Sequence, residues 1–425
     1  MHYAAPPTIG GVEATLAAHA RLFARHAYPV KIIAGCGAPF DPHIPLEIIP
    51  DADSQSPRVL QVNTELARGE VSPAFHALAR DLTRALATAL ADCDLLIAHN
   101  ALSLHKNLAL TAALRELAGI RLIAWCHDFA WTDPQYAAAL YPGLPWDLLR
   151  APWANVTYVV VSRARQIELE NLWKSRGDIT VIPPGIEPRE FFNFAEQTAQ
   201  WIDQFDLRDA APLLLLPARI TRRKQIERAI EIVAALRARG DAAKLVITGP
   251  LGAHNPANAA YWNELRELRR ARGVESAVIF LREFGSVEDA VRRDLFLIAD
   301  ALLFPSAREG FGIPILEAAL ARLPIFCSDL APFRETARDH AHYFAPDASP
   351  AQIAQCITDT LARDHAYRLK QRVVKNYSWD RIFSERIEPL VNKGFEIRGE
   401  GFAVRARIGG LDKPRHKGEH DGRRA

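Results

Sequence analysis

The sequence predicts an α/β fold with two doubly wound parallel-sheet domains, and three observations support this prediction. The chain has 425 residues, of which 49% are hydrophobic, so it can bury two or three packed cores. Short apolar runs alternate with helical patterns along most of its length, which is typical of βαβ units. A polar stretch between Glu187 and Pro212 separates two such series. We therefore predict domains at residues 1–190 and 191–378, with a linker between them.

In the first domain, strands and helices are predicted in alternation. Residues 1–7 contain no good strand pattern, but Gly10-Gly11 precedes a helical pattern that runs from residue 12 to 24. Apolar runs then predict strands at 30–34, 46–49, 94–98, 121–126 and 158–162. Helical periodicity predicts helices at 73–91, 106–117 and 163–173.

The second domain repeats this alternation. Buried strands are predicted at 213–216, 245–247, 277–281, 300–304 and 324–328, and helices at 258–272, 351–362 and 379–390. From residue 394 to 425 the chain is rich in Gly and charged residues and poor in apolar ones. We expect this tail to be basic and disordered.

Composition restricts the classes of partner. A net charge of +2 is too small to predict a nucleic-acid surface. The five cysteines are scattered and lie mostly in apolar runs, so we expect reduced, buried thiols. The sequence has neither an apolar run of 18 residues nor a signal-peptide pattern. We expect a cytoplasmic protein with at most peripheral membrane contact.

The most informative stretch is residues 302–317, where an apolar strand leads through a Gly-rich turn into a helix. Gly310 and Gly312 allow close approach of a bound group, and a helix that begins near Ile313 directs its positive dipole end at the loop. Glu309 and Glu317 are eight residues apart and flank this helix start. Carboxylates beside an anion site suit hydroxyl groups, so the loop is predicted to bind a sugar nucleotide.

This stretch resembles the E-x7-E signature of retaining glycosyltransferases of family 4, which have the GT-B fold. The resemblance extends over residues 8–392 and implies two Rossmann-like domains that face each other across a cleft. It also implies a helix at 379–393 that crosses back to the first domain. The implied activity is transfer of a hexose of the mannose or glucose class from a nucleotide diphosphate sugar to a hydroxyl. The acceptor would be a small sugar-like molecule, a glycan or a lipid-linked compound, and neither a metal nor a further cofactor would be needed.

The same resemblance implies roles for the residues of the second domain. Glu309 would be catalytic, in the sense of positioning the hexose, and Glu317 would bind the ribose diol. Arg219 and Lys224 would hold the diphosphate, although Ala218 and Gln225 replace the glycines usual beside them. The backbone of the central loop and of the Gly-Gly turn would complete the donor site, at Gly310, Phe311, Gly312 and Gly11.

Candidate residues of the first domain lie at predicted strand ends, where ligands of open α/β sheets bind. His127 follows the strand at 121–126, and the resemblance places a catalytic-site histidine there. Asn100 and Trp131 are weaker acceptor-side candidates. Four tryptophans between 125 and 153 could stack on sugar rings or could form a packed core under a long loop.

Other patterns are interpreted as structural. Gly35-Cys36-Gly37 lacks the third glycine of a dinucleotide site, and we assign no metal to Asp51-Ala52-Asp53 or Asp92-Cys93-Asp94. Two alternatives stay open. One is a different enzyme on the same fold, such as a nucleotide-sugar epimerase, and the other is a catalytically silent sugar-nucleotide-binding protein.

Overall fold

The protein is described by a computed structural model that covers residues 1–252 and 255–393 and divides into two compact units. The first unit consists of Met1–Pro184 together with the segment that begins at Ile382, and the second is Gly185–Arg381. The tail predicted at 394–425 lies outside the described residues. No helix in the described ranges is both long enough and apolar enough to cross a bilayer.

Two parallel sheets form the frame of the first unit. One has the strand order β1-β2-β3 and the other β4-β5-β6-β7. The strands are β1 (His2–Ala4), β2 (Ile32–Cys36), β3 (Leu46–Ile48), β4 (Leu95–His99), β5 (Arg121–Cys126), β6 (Val156–Val160) and β7 (Ile179–Val181). The helices are α1 (Gly11–Arg25), α2 (Pro57–Leu66), α3 (Pro73–Ala89), α4 (Leu108–Glu116) and α5 (Arg163–Trp173).

A first strand does form in residues 2–4, although the sequence pattern there is weak. Its side chains are buried, and His2 lies opposite Ala34 of β2 in parallel register. The His99 N–H donates to the Met1 carbonyl at 3.0 Å, which ties the start of the chain to the end of β4. Helix α2 was not predicted, but Val59, Val62 and Leu66 give it one buried face.

The end of the described chain packs on the first unit. Phe383 lies edge-on to Phe23, with ring centroids 5.2 Å apart, and stacks on His26 at 4.3 Å. The Tyr28 hydroxyl donates to Glu388 at 2.9 Å. This segment consists of the end of α15 (Trp379–Ile382), a π-helical turn (Phe383–Ile387) and α16 (Glu388–Asn392).

A single six-stranded parallel sheet forms the core of the second unit, in the order β10-β9-β8-β11-β12-β13. Its strands are β8 (Leu213–Leu216), β9 (Lys244–Ile247), β10 (Val278–Phe280), β11 (Ala301–Phe304), β12 (Ile325–Ser328) and β13 (His342–Phe344). The helices of this unit are α6 (Pro188–Phe192), α7 (Glu196–Gln204), α8 (Ile226–Ala238), α9 (Ala257–Ala271), α10 (Asp289–Ile298), α11 (Ile313–Leu320), α12 (Ala331–Ala337), α13 (Pro350–Arg363), α14 (His365–Asn376) and most of α15. The central strands β8 and β11 are buried along their whole length, as their unbroken apolar runs require.

The stretch predicted as a linker, 187–212, is instead folded into the second unit. Most of it lies in α6 and α7, and the units divide between Pro184 and Gly185. Trp201 and Ile202 are buried in the core of the second unit. The polar residues at the start of α7 concealed this short apolar face, because only one side of the helix is buried.

Candidate active site

Two neighbouring strands of the second unit bring the basic turn and the Glu309 loop together. Strand β8 pairs in parallel with β11, with Leu215 opposite Leu302. The segments that leave the two carboxyl ends therefore start side by side, although Lys224 and Glu309 are 85 positions apart in sequence. The Ala307 N–H donates to the Arg223 carbonyl at 2.8 Å, which joins the two segments directly.

Glu309 is held by two cations from the basic turn. Lys224 Nζ donates to Glu309 Oε1, and Arg223 Nη1 donates to Oε2 at 2.9 Å. The side chains of Lys224 and Glu309 are each 9% exposed, and the Lys224 ammonium lies 4.7 Å from the centre of the Phe304 ring. The predicted hexose-positioning carboxylate and the predicted diphosphate lysine thus bind each other in the structure.

The local charges set the protonation of this pair. Burial by itself would raise the pKa of Glu309, but the hydrogen bond and charge of Lys224, with a contribution from Arg223, lower it on balance. Burial also lowers the pKa of Lys224, and Glu309 opposes that shift. The pair therefore keeps Glu309 ionised.

The Gly-rich turn owes its shape to Gly312 and not to Gly310. Gly312 has φ of 99°, in the left-handed region, and a Cβ there would lie 2.7 Å from Cε1 of Phe333. A Cβ on Gly310 would meet no heavy atom within 4 Å, so Gly310 is not required by this backbone. Phe311 is 50% exposed, and its carbonyl accepts a hydrogen bond from the Thr336 hydroxyl at 3.1 Å.

Neither Glu317 nor Arg219 is a member of the Lys224–Glu309 ion pair. Arg292 Nη1 donates to Glu317 Oε1, and the Glu317 side chain is 26% exposed. A ribose diol at Glu317 would therefore compete with Arg292. The sequence analysis did not identify Arg292, because no motif in α10 indicates a binding residue. Arg219 is exposed and lies three residues beyond the end of β8. Arg223 was also missed as a site residue, although its position in the basic turn was a usable signal.

In the first unit, the pairing of β4 with β5 brings Asn100 to His127. His99 lies opposite Trp125 in this register, so the residues that follow each strand are adjacent. Asn100 is 2% exposed, and its Oδ1 accepts from the His127 N–H at 2.7 Å and from the Asp128 N–H at 3.4 Å. This buried carboxamide shapes the His127 turn, so we interpret Asn100 as a positioning residue rather than an acceptor ligand.

His127 is the least buried member of a group of four imidazoles. We call His2, His19, His99 and His127 the histidine cluster; the first three are 5%, 3% and 1% exposed. His99 Nδ1 lies 3.2 Å from His127 Nε2. Burial, with a smaller contribution from His2, lowers the pKa of His127 to about 4, so its ring is neutral near pH 7.

The aromatic stretch between 125 and 153 is mainly core. Trp125, Trp146 and Trp153 are at most 6% exposed, which supports the packed-core interpretation. Trp131 is half-buried; its Nε1–H donates to the Trp146 carbonyl at 3.1 Å, and the Arg150 guanidinium lies over its ring at 4.8 Å. The predicted sugar-stacking face of Trp131 is thus already in contact with Arg150.

A cavity of about 310 Å³ opens beside this region. Its apolar wall is formed by Leu60, Leu66, Leu108 and Trp146, and its polar wall by Ser54, Gln55, Asn63, His105 and Lys106. Asn63 Nδ2 donates to the Lys106 carbonyl at 2.8 Å. Such a volume with a mixed lining is in the range of small-molecule sites.

The remaining predicted donor residue, Gly11, is the exposed first residue of α1, and a Cβ there would meet no heavy atom within 4 Å. Its backbone is thus accessible at a helix start. Among residues 1–252 and 255–393, no group of three or more His, Cys, Asp or Glu side chains is arranged to hold a metal ion. Asp51 of the first D-x-D pattern pairs instead with Arg58 at 2.6 Å.

Known proteins resemble this chain in both of its units. Residues 9–190 match the model of Glycosyltransferase Family 4, and residues 197–377 match that of Glycosyl transferases group 1. Mannosylglucosylglycerate synthase of Petrotoga mobilis is 27% identical over 261 residues, which cover 55% of this chain and 59% of that protein. The serotype-specific mannosyltransferase WbdA of Escherichia coli is 42% identical over 77 residues, which cover 18% of this chain and 9% of WbdA.

The chain spans less than two thirds of the length of these curated relatives. Among solved structures, sucrose-phosphate synthase of Thermosynechococcus elongatus is similar at 16% identity and a TM-score of 0.36, covering 93% of this chain and 100% of that one. With its first unit matched by one family model and its second unit by the other, the chain belongs to the family 4 glycosyltransferases of the GT-B class.

Proposed function

We propose that the protein transfers a hexose from a nucleotide diphosphate sugar to a hydroxyl acceptor, with retention of configuration and without a metal. The observation that carries this proposal is the contact of Glu309 with Lys224 and Arg223 in front of α11. Two cations and a positive helix end favour a diphosphate, and a carboxylate among them suits sugar hydroxyls. The cations thus match the diphosphate of a sugar nucleotide, and the carboxylate matches its sugar.

In the proposed reaction the protein stabilises the charge of the leaving diphosphate and positions the reacting groups. The bond from the anomeric carbon to the leaving diphosphate oxygen breaks, and the acceptor oxygen forms its bond on the same face of the sugar. The hydroxyl proton passes to the departing phosphate oxygen. Lys224, Arg223 and Arg219 stabilise the negative charge that develops on the diphosphate, which is the largest contribution in many enzymes. Glu309 and His127 contribute by positioning and by charge stabilisation.

Mannose is the first donor sugar to test. The names of two relatives, WbdA and mannosylglucosylglycerate synthase, refer to mannosyl transfer. We propose GDP-mannose, with UDP-glucose and ADP-glucose as the competing donors. A nucleotide-sugar epimerase or a silent binding protein would give a different product pattern, so one experiment separates all three.

The test is isothermal titration with the three donors, followed by incubation with acceptors and NMR analysis of the product. We expect binding of one donor and a new glycosidic linkage with the donor's anomeric configuration. Prior treatment with EDTA should leave most of the activity. A product of inverted configuration would contradict retention, and a loss of activity that Mg²⁺ or Mn²⁺ restores would contradict metal independence. An epimerised donor, or binding without any turnover, would contradict glycosyl transfer.

For the acceptor we propose the 310 Å³ cavity of the first unit. Lys106 is exposed on its polar wall and forms no ion pair with the described residues, so it can bind an anionic group. Leu60, Leu66 and Trp146 line the same cavity with apolar side chains. The acceptor class is therefore a sugar or sugar-like compound with a carboxylate or phosphate group.

The Lys106→Ala variant should raise the KM for such an acceptor by at least about tenfold, since a charge-assisted contact contributes about 1.5–3 kcal/mol. The KM for the donor should not change. Arg84→Ala is the matched control, because it removes a cation of the same unit whose side chain is 80% exposed. Equal acceptor KM values in the parent protein and the Lys106 variant would remove the cavity from the acceptor site.

A further inference from the structure

Within the histidine cluster, the ring of His127 forms a hydrogen bond with the ring of a buried residue, His99. His99 Nδ1 and His127 Nε2 are 3.2 Å apart, and His99 is 1% exposed. Burial keeps the pKa of both rings below the usual value. When both rings are neutral, one nitrogen of this pair carries the proton and the other accepts it. The hydrogen bond therefore couples the tautomer of His127 to that of His99.

His99 itself is fixed from several sides. Its ring stacks on Trp125 with centroids 5.8 Å apart, and it also contacts His19 at 5.3 Å. Its carbonyl accepts a hydrogen bond from His2 Nδ1 at 3.0 Å, and His2 Nε2 lies 3.5 Å from Glu13. A buried ring that packs against two other rings and whose backbone is hydrogen-bonded has little freedom to rotate.

The backbone of His127 is fixed independently of its ring. Asn100 adopts φ of 56° and accepts the His127 N–H at 2.7 Å, so the turn cannot shift without loss of a buried hydrogen bond. His127 Nε2 is engaged by His99, which leaves Nδ1 as the ring nitrogen not engaged in this bond. The contact with His99 thus leaves one defined ring nitrogen of His127, Nδ1, for a further partner.

We propose that His99 is a positioning residue that holds His127 in a single neutral tautomer with Nδ1 directed to the substrate. The bond formed by one imidazole nitrogen determines which form the other nitrogen takes. The catalytic part of this inference rests on the proposed glycosyl transfer, but the tautomer itself can be measured without any turnover. An experiment can therefore distinguish failure of the tautomer proposal from failure of the proposed glycosyl transfer.

The test uses the full-length protein labelled with ¹⁵N-histidine, and His127→Gln identifies the His127 resonances by their disappearance. In the parent protein at neutral pH, we expect one His127 nitrogen in the protonated range and the other in the unprotonated range. In His99→Phe, which keeps a ring for stacking on Trp125, we expect both shifts to move to averaged values. The turnover number should fall at least about tenfold with little change in donor KM, since a wrongly held imidazole affects the chemical step.

Two further variants complete the design. His99→Gln retains a hydrogen-bonding amide and should recover part of the turnover and one predominant tautomer. His26→Phe is the matched control, because His26 is an imidazole of the first unit that lies outside the cluster and stacks on Phe383 at 4.3 Å. Averaged tautomers in the parent protein, or unchanged shifts in a folded His99→Phe protein, would overturn the proposal.

Discussion

In the Lys224→Met variant, affinity for a free nucleoside diphosphate is expected to fall at least about tenfold, because one charge-assisted contact is lost. Methionine keeps an unbranched stem against Phe304, where the Lys224 ammonium now lies 4.7 Å from the ring centre. The measurement is isothermal titration with GDP, UDP and ADP. The matched control is Arg222→Ala, two positions away, whose guanidinium already pairs with Glu264 at 2.5 Å.

Glu309→Gln is expected to act in the opposite direction on the free nucleotide. Glu309 occupies Lys224 and Arg223 in the structure, so a diphosphate must compete with it for both cations. The variant should therefore bind the nucleoside diphosphate at least as tightly as the parent protein. Its turnover should nevertheless fall by about a hundredfold, the scale of one electrostatic contact made in the transition state.

These two variants also test whether the pair is purely structural. Removal of one partner of a buried ion pair destabilises a protein by about 3–5 kcal/mol, so each variant needs a thermal unfolding control. The double variant Lys224→Met with Glu309→Gln leaves no buried unpaired charge, because the remaining cation, Arg223, is 48% exposed, so it should recover stability without recovering turnover. Parent-like nucleotide affinity and parent-like turnover in folded single variants would show that the Lys224–Glu309 contact only stabilises the fold.

The first unit is expected to lose stability between about pH 7 and pH 5. Burial lowers the pKa of His19 to about 3 and that of His127 to about 4, and it lowers the pKa of His99 well below its ordinary value. In the unfolded chain these imidazoles bind protons near pH 6.5. Below that pH the unfolded state binds more protons than the folded state, so the free energy of unfolding falls as the pH falls.

The expected loss at pH 5 is about 2 kcal/mol for each of His19 and His127, with a further loss from His99, and it levels off only near the folded pKa values. Urea unfolding at several pH values, with hydrogen exchange of peptides from β4 and β5, measures it in the first unit. In His127→Gln, the free energy of unfolding should depend less on pH, because the contribution of one imidazole is removed. His340→Gln is the control, since the His340 side chain is 83% exposed. A free energy of unfolding that stays constant or rises toward pH 5 would contradict the assigned burial of the cluster.

The sequence alone determined the elements of the fold, because their signals are local. The unbroken apolar run 213–216 and the strand at 121–126 were predicted where the structure has them, and α5 begins and ends as its periodicity indicated. Elements with weaker local signals were missed or misplaced. Helix α7 lay in the predicted linker, since its buried face of Trp201 and Ile202 is short and its first turn is polar.

The order of motifs along the chain was likewise sufficient to predict which residues form a site, but not how they are paired. Lys224 and Glu309 were assigned to different parts of one ligand, and the structure joins them to each other. Strand order decides this contact: β8 pairs with β11, and pairing between strands that are not consecutive in the chain is a property of the folded sheet. Asn100 and His127 likewise meet only in the folded sheet, because β4 pairs in parallel with the next strand, β5.

Burial was the other property that only the tertiary structure decided. His99 carried no signal that distinguished it from the other histidines, yet packing against Trp125 and His19 makes it the hydrogen-bond partner of His127. Trp125 and Trp146 could have faced sugars or the core, and only the packed loop assigns them to the core. Residue type determines which interactions a side chain can form, whereas the desolvation that sets its pKa and its free faces depends on neighbours distant in sequence.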